Sequence, residues 1–346
     1  MNQANHQKDA LYMQRAFFLA QLGGGSVSPN PMVGAVIVHN DRIIGEGWHK
    51  AYGGPHAEVN AINAVADKSL LPESTLYVTL EPCNHFGKTP PCSDLVISHK
   101  LKKVVVSNLD TNPLVGGEGI RKMRNAGIEV VTGILDAVGR NLNRRFFTYI
   151  EKGRPYVILK WAETADGFIA RENYSSKWIS NALSRQLVHK WRSEEDAVLV
   201  GAKTAAHDNP SLNVRDWSGR NPVRVVTDRF LRLPSNLNLF DGTQPTIRYN
   251  VLKNEEHPNL TLARIDEENF LTSMVEDLHK KKIQSLFVEG GTFTLNQFIE
   301  NNLWDEIRVF KSPATFGKGI PGPKFNGVLT DEENIGGDRL FRYHRG

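Results

Sequence analysis

The chain has 346 residues, 40% of them apolar, and a net charge of +4 at pH 7. That is material for two ordinary domains, and too mild a charge for a nucleic-acid-binding surface, which needs clustered Lys and Arg. No apolar run approaches the roughly 18 residues of a membrane span, so none is expected.

The first segment, "MNQANHQKDALYMQRAFFLAQLGGG", reads as an amphipathic helix ending at Gly23–Gly25. It lacks a basic start, and Gln14, Arg15 and Gln21 interrupt its apolar part, so it is not a signal peptide. A reducing, cytoplasmic setting is expected, in which the cysteines do not form a disulfide. "MVGAVIVHNDRIIGEGWH" predicts two strands about an Asn40-Asp41 turn. "HAEVNAINAVAD" predicts a short helix, and "STLYVTLEP" a strand that stops at Pro82. A helix ("CSDLVISHK"), a strand ("KKVVVSNLD"), a helix closed by Gly127 and a strand ("IEVVTG") follow. This is an α/β pattern with a mostly sequential sheet. A helical stretch over 135–150 runs to "EKGRP", where Gly153 and Pro155 mark a boundary between domains 1–150 and 151–346.

The second half restarts with the strand "PYVILKWAE". Helices are expected near 180–192 and 268–281. Strands are expected at "DAVLVG", "VRVVTD", "SLFVEG" and "EIRVFKS". It is a second α/β domain with no repeat of the first. Segment 208–222, rich in Asn, Pro, Ser and Asp, reads as a site loop rather than a linker.

Both cysteines of the chain, Cys83 and Cys92, directly follow a proline. With His56 they form a borderline-soft ligand set suited to zinc. Three protein ligands leave a position for water, as in a catalytic site. Glu58 is the fourth member, with a role in proton transfer rather than ligation. His56 and Glu58 cannot share a helix face from within a helix, but can converge from its first turn, just after Gly54-Pro55. Cys92 stands at a predicted helix start, which favours thiolate. Zinc deaminases carry the nearest signature, a His-x-Glu followed by Pro-Cys-x-x-Cys. Here eight residues separate the cysteines. A structural zinc would need a fourth ligand. His85 could supply it in principle, but reads better as a pocket residue. Two buried spectator thiols are the remaining alternative.

"HAE" followed by "EPCNHFGKTPPC", with "SPNPMVGAVIV" and "GEGWHKAYGGPHAE", resembles the bifunctional riboflavin-biosynthesis deaminase–reductase family. The resemblance implies a cytidine-deaminase-like zinc domain acting on 2,5-diamino-6-ribosylamino-4(3H)-pyrimidinone 5′-phosphate. Zinc-activated water would attack the carbon bearing the 2-amino group, and Glu58 would carry the proton from water to the departing ammonia. Asn30 and His49 match positions that contact the pyrimidine or its ribose. Taken alone they would be a turn residue and a surface histidine.

In the second half, "FVEGGTFTLNQFI" is a strand, two glycines and a helix. Glycines at a helix start let backbone N–H groups approach a pyrophosphate, but a plain strand-to-helix turn reads the same way. No GxGxxG follows a first strand, which disfavours a Rossmann domain. "LKWAETADGFIA", "SSKWIS" and "VGAKTAAHDNPSLNVR" resemble the family's reductase, a dihydrofolate-reductase-like domain. The resemblance implies NADPH contacts from Ala162, Trp178, Thr204, Asp208, Gly290 and Gly291. It implies substrate contacts from Ser176, Arg192, Leu212, Arg215 and Glu289, with the two arginines as phosphate partners. Trp161, Glu163, Thr164 and Ala165 depart from the family pattern. The implied reaction reduces the ribosyl group to ribityl, and Lys160 and Asp208 are candidates for its acid. Arg229, after "VVTD", is a candidate for the 2′-phosphate of the cofactor. A homo-oligomer is expected by the same resemblance. One competing reading is a nucleoside or RNA deaminase with an accessory domain. The mild charge and the missing basic-aromatic stripe oppose it. Another is a non-catalytic zinc-fold binding protein, which would have no use for Glu58.

Overall fold

In the computed structural model, residues 3–84, 86, 90–112, 116–174 and 179–346 are described. The chain divides into two units, Met1–Lys152 and Gly153–Gly346. Among the described residues, no helix is long and apolar enough to cross a membrane.

The first unit is built on a five-stranded sheet in the order Arg42–Trp48, Gly34–His39, Thr75–Leu80, Lys103–Asn108, Glu129–Thr132. The hairpin turns at Asn40 and Asp41, which both adopt positive φ (46° and 62°), the geometry of a tight type I′ turn. The last three strands are parallel. Their residues alternate between two cores, as the two-residue period of a strand requires. Leu76, Val78, Val104 and Val106 pack with Ala61, Ile62, Val96 and Met123 of three helices. Tyr77, Val105 and Val131 pack with Met13, Ala16 and Phe17 of the helix Gln3–Gln21.

The helix Ala57–Ala64 lies directly on the backbone of strand Arg42–Trp48. A Cβ added at Gly47 would come 2.3 Å from Ala61 N, and one at Gly45 would come 2.5 Å from Ala61 O. The glycines are there for this approach. It fixes the depth at which the first turn of that helix sits.

The second unit carries a ten-stranded sheet. Its order is Glu255–His257, Leu260–Arg264, Thr246–Asn250, Val223–Thr227, Ala197–Gly201, Ser285–Val288, Tyr156–Glu163, Glu306–Lys311, Asp338–His344, Val328–Ile335. The strands from Leu260–Arg264 to Glu306–Lys311 are parallel, with an apolar core on either side of the sheet. The final hairpin is antiparallel. The strands and helices expected from sequence are present, but Thr246–Asn250, Glu255–His257, Leu260–Arg264 and the final hairpin were not anticipated. Neither were the short strands Phe168–Ala170 and Ile320–Pro321, or the helix Ala202–Asp208.

Substituting Gly47→Ala should therefore force the helix off the strand. The expected loss is about 1–3 kcal/mol, typical of overpacking. It would be read as a lower urea midpoint for the first unit, and an unchanged midpoint would contradict the close approach.

Candidate active sites

His56 caps the helix Ala57–Ala64 with an extended backbone (φ −70°, ψ 166°), so its ring leaves the helix axis while Glu58 occupies the first turn. Cys83 follows Pro82 at the end of strand Thr75–Leu80, and Cys92 begins the helix Cys92–Ser98 behind Pro91. His56 Nδ1 lies 3.5 Å from Cys83 Sγ and 3.3 Å from Cys92 Sγ. The three donor atoms all fall within 4.8 Å of one another, and both cysteines are free. Nitrogen and sulfur donors at ordinary zinc bond lengths in a tetrahedron stand about 3.5 Å apart. The set therefore fits zinc as it stands.

Without a cation the group shares protons among its members. Cys83 is pushed down to about 4, first by the hydrogen bond with Cys92, then, against burial, by that with His56. Cys92 is pushed up by the same pairing and by burial. His56 is raised by its hydrogen bond to Cys83, against burial. The Cys92 N–H also donates to Cys83 Sγ at 3.3 Å. Glu58 is 3% exposed, and burial, followed by the negative charge on Cys83, lifts it to about 7. It is a carboxyl suited to exchanging a proton near neutrality.

His49 lies against this group, its ring centroid 5.5 Å from that of His56. Its Nδ1 is 3.0 Å from the Pro55 carbonyl, and its Nε2 is 3.1 Å from Asn30 Nδ2. Burial, and then the charge of His56, hold it below the usual histidine range despite the Pro55 hydrogen bond. Asn30 and His49 are thus brought to the site together. His85 lies outside the described residues.

Glu81 was not anticipated. Its buried carboxylate accepts from the backbone N–H groups of Asp110 (3.3 Å), Gly117 (3.0 Å) and Ile120 (3.3 Å). It caps the helix Glu118–Asn125 from afar and fastens the chain two residues before Cys83. The available signal was an acid ending an apolar strand directly before Pro82-Cys83.

In the second unit, a cavity of about 1120 Å³ opens where several parallel strands end. Its lining includes Lys160, Ala162, Thr204, Asp208, Gly290 and Gly291, together with Arg192, Arg215, Arg229 and Glu289. Gly290 has φ 108°, a conformation open to glycine, and Gly291 begins the helix Thr292–Glu300. A Cβ at Gly291 would lie 3.1 Å from Thr204 Oγ1, so the two helix starts meet at small residues. Arg192 grips Glu289 in a fork, Nε–Oε1 2.5 Å and Nη2–Oε2 2.9 Å, and donates its third nitrogen to the Asn213 carbonyl at 3.1 Å. Burial opposes ionisation of Glu289, but Arg192 and then Lys160 hold it below the usual carboxylate range. Burial pushes Lys160 down, against the pull of Glu289. Leu212 is not brought to the cavity lining. It is 1% exposed, packed in the core with Val198 and Leu239. Ser176 and Trp178 lie outside the described residues. In the divergent segment, Trp161 Nε1 donates to Glu163 Oε2 at 3.0 Å, and Thr164 Oγ1 to Asp166 Oδ1 at 2.5 Å.

Residues 6–108 match the cytidine and deoxycytidylate deaminase zinc-binding region, and residues 155–332 match the RibD C-terminal domain. A riboflavin biosynthesis protein RibD of Aquifex aeolicus is 43% identical over 318 residues, covering 90% of this chain and 89% of the relative. The Escherichia coli RibD is 34% identical over 342 residues, 91% and 90% of the two chains. Among solved structures, a diaminohydroxyphosphoribosylaminopyrimidine deaminase/5-amino-6-(5-phosphoribosylamino)uracil reductase from Thermotoga maritima superposes with a TM-score of 0.91. It is 39% identical and covers 99% of this chain and 100% of that one. Acinetobacter baumannii RibD gives a TM-score of 0.90 at 34% identity, with 99% coverage of both chains. A cytidine-deaminase-like domain joined to a dihydrofolate-reductase-like one makes this a bifunctional deaminase–reductase. The chain belongs to the RibD family of riboflavin-biosynthesis proteins.

The proton sharing predicts a contrast in the metal-stripped protein. Cys83 is held well below an ordinary thiol, first by the hydrogen bond with Cys92, while Cys92 is held above one. Iodoacetamide at pH 6 should alkylate Cys83 well before the buried, proton-holding Cys92. Peptide mass mapping would show it, and equal rates at both sites would contradict the arrangement.

Proposed function

We propose that His56, Cys83 and Cys92 hold a catalytic zinc, and that the first unit deaminates 2,5-diamino-6-ribosylamino-4(3H)-pyrimidinone 5′-phosphate. The carrying observation is the convergence of His56 Nδ1 and two thiols beside one buried carboxyl, Glu58. Zinc bound there supplies the Lewis acidity that makes water nucleophilic near neutral pH. Glu58 accepts the proton of that water and returns it to the departing ammonia. Its rise toward 7 in the metal-free group comes from burial, and the charge of a bound cation opposes that rise. Asn30 and His49 orient the pyrimidine.

In the second unit the cavity takes NADPH and the deaminated pyrimidine, and the ribosyl group is reduced to ribityl. The cofactor supplies the hydride when bound. Ala162, Thr204, Asp208, Gly290 and Gly291, with Trp178, form its cradle. Glu289 and Arg215, with Ser176, hold the substrate. Arg215 is exposed at the cavity and serves as a phosphate partner. Arg192, its nitrogens engaged by Glu289 and Asn213, acts on the substrate by fixing the Glu289 carboxylate. Leu212 contributes through the packing beneath the site. Lys160 and Asp208 are the groups able to deliver a proton. A cytoplasmic homo-oligomer accords with this reading.

Two outcomes are expected. Cys83→Ser should lose bound zinc and ammonia release together, as measured by metal analysis and an ammonia assay. Full zinc occupancy in that variant would remove the ligand assignment. Glu58→Gln should keep zinc and lose deamination by about 10²-fold or more, the scale of general acid–base catalysis. Supplied with the deaminated pyrimidine, the same variant should still oxidise NADPH at the wild-type rate. Loss of both activities in a folded protein would show that the sites are not independent.

A further inference from the structure

The helix Ala182–Glu194 contributes His189 and Arg192 to the cavity lining. They stand three residues apart and so share one helix face. Both are buried, at 3% and 8% exposure. Arg192 grips Glu289, whereas His189 turns to another part of the chain. A buried imidazole needs partners for its ring nitrogens. His189 meets them all in one short stretch, residues 213–216, where the chain has neither helix nor strand. Its Nδ1 lies 3.0 Å from the Asn213 carbonyl, which can only accept, so Nδ1 carries a proton. The backbone nitrogen of Arg215 lies 3.4 Å from the same Nδ1, and Asp216 Oδ2 lies 3.3 Å from Nε2.

The Asn213 carbonyl accepts a second hydrogen bond, from Arg192 Nη1 at 3.1 Å. Two side chains of one helix thus clasp one backbone oxygen. The Asn213 side chain extends the series, its Oδ1 accepting from Arg215 Nη1 at 3.2 Å. A continuous run of contacts therefore leads from the Glu289 carboxylate through Arg192 and Asn213 to the Arg215 guanidinium. Arg215 needs such support. Its side chain is 54% exposed and stands on irregular backbone, so a ligand binding there must offset the entropy of ordering it. Burial, then the charges of Arg192 and Arg215, hold His189 below the usual histidine range, against Asp216 and the Asn213 hydrogen bond. The ring thus fixes the backbone as a neutral donor. Asp216, 3.8 Å from Arg215 Nε, takes no proton from it.

We propose that His189 is a positioning residue of the reductase: through Nδ1 and the Asn213 carbonyl it sets Arg215 at a fixed span from Glu289, and so favours a phosphorylated substrate over its unphosphorylated counterpart. The proposal rests on the reading of Arg215 as a phosphate partner. The phosphate is remote from the reduced carbon and unchanged by hydride transfer, so the effect falls on KM rather than on kcat.

The test is steady-state reduction, by the full chain, of the deaminated pyrimidine with and without its 5′-phosphate, followed by NADPH absorbance. An asparagine amide nitrogen falls near the position of Nδ1, whereas a glutamine amide nitrogen reaches that of Nε2. H189Q should therefore lose the Asn213 contact and raise KM for the phosphorylated substrate by about 3–10-fold, the scale of one hydrogen bond. Its kcat should stay within about twofold, which also reports a folded site, and KM for the unphosphorylated compound should not move. H189N should recover most of the loss. Equal effects of the two substitutions, or a KM rise shared by both substrates, would overturn the role of His189. R215Q separates this proposal from the reading beneath it. Discrimination for the phosphate lost in R215Q but kept in H189Q would remove His189 alone. Discrimination kept in R215Q would remove Arg215 as the phosphate partner, and the proposal with it.

Discussion

Two thiols held with an imidazole within 4.8 Å of one another resist ionising together unless a cation lies between them, and the first unit is arranged around keeping them there. No single element supplies the set. His56 comes from a helix cap, Cys83 from a strand end and Cys92 from a second helix start. Each arrives through a turn next to a proline, where backbone freedom is already reduced. Behind these turns the constraint continues. Gly45 and Gly47 set the depth of the helix bearing Glu58, and Glu81 ties the approach to Cys83 to the start of a third helix. The same burial that holds the donors together excludes water from Glu58 and lifts its proton affinity. Geometry and acidity at this site therefore have one cause.

The second unit meets a related problem differently. Arg192, Glu289 and Lys160 are charged groups in a poorly hydrated cavity floor, and they are stable there because each faces an opposite charge. The Arg192–Glu289 fork leaves both side chains about a tenth exposed. Removing one partner of such a pair strands the other, which is costly. The carboxylate is thus held in one place and one protonation state, with Lys160 as the more adaptable neighbour. A lysine lowered by burial gives up a proton more readily than a surface lysine.

Legibility in the sequence followed burial. The parallel strands "VVV", "VLV" and "LFV" could be read because they are apolar on both faces, and the glycine and proline punctuation placed the helices between them. The site residues His56, Glu58, Cys83 and Cys92 could be read from donor chemistry and order. What escaped lacked an apolar signature. Strand Thr246–Asn250 carries Arg248, a charge that looks exposed until Asp228 is found beside it. Strand Val328–Ile335 is an edge with most of its residues in solvent, so "VLTDEENI" shows no alternation. Glu81 escaped for a different reason. Its partners are backbone N–H groups distant in sequence, which have no residue type to recognise. Leu212 shows the converse. Its place in a motif pointed to the substrate, while its apolar side chain went to the core.

The orientation of Asn30 shows how such backbone partners set the hydrogen-bond polarity of a side chain. The carbonyl of Pro55 can only accept, so His49 Nδ1 must carry the proton. His49, held below its ordinary range, is neutral at pH 7, so its Nε2 must accept. Asn30 therefore turns its amide nitrogen to His49, and its carbonyl oxygen is left as the acceptor. Protonation of His49 would replace the accepting Nε2 with a donor, setting two N–H groups against each other and releasing Asn30 to flip. The desolvation that keeps His49 neutral thus maintains the hydrogen-bond polarity of a neighbour, and the Pro55 carbonyl, one residue before His56, fixes the tautomer on which that polarity depends.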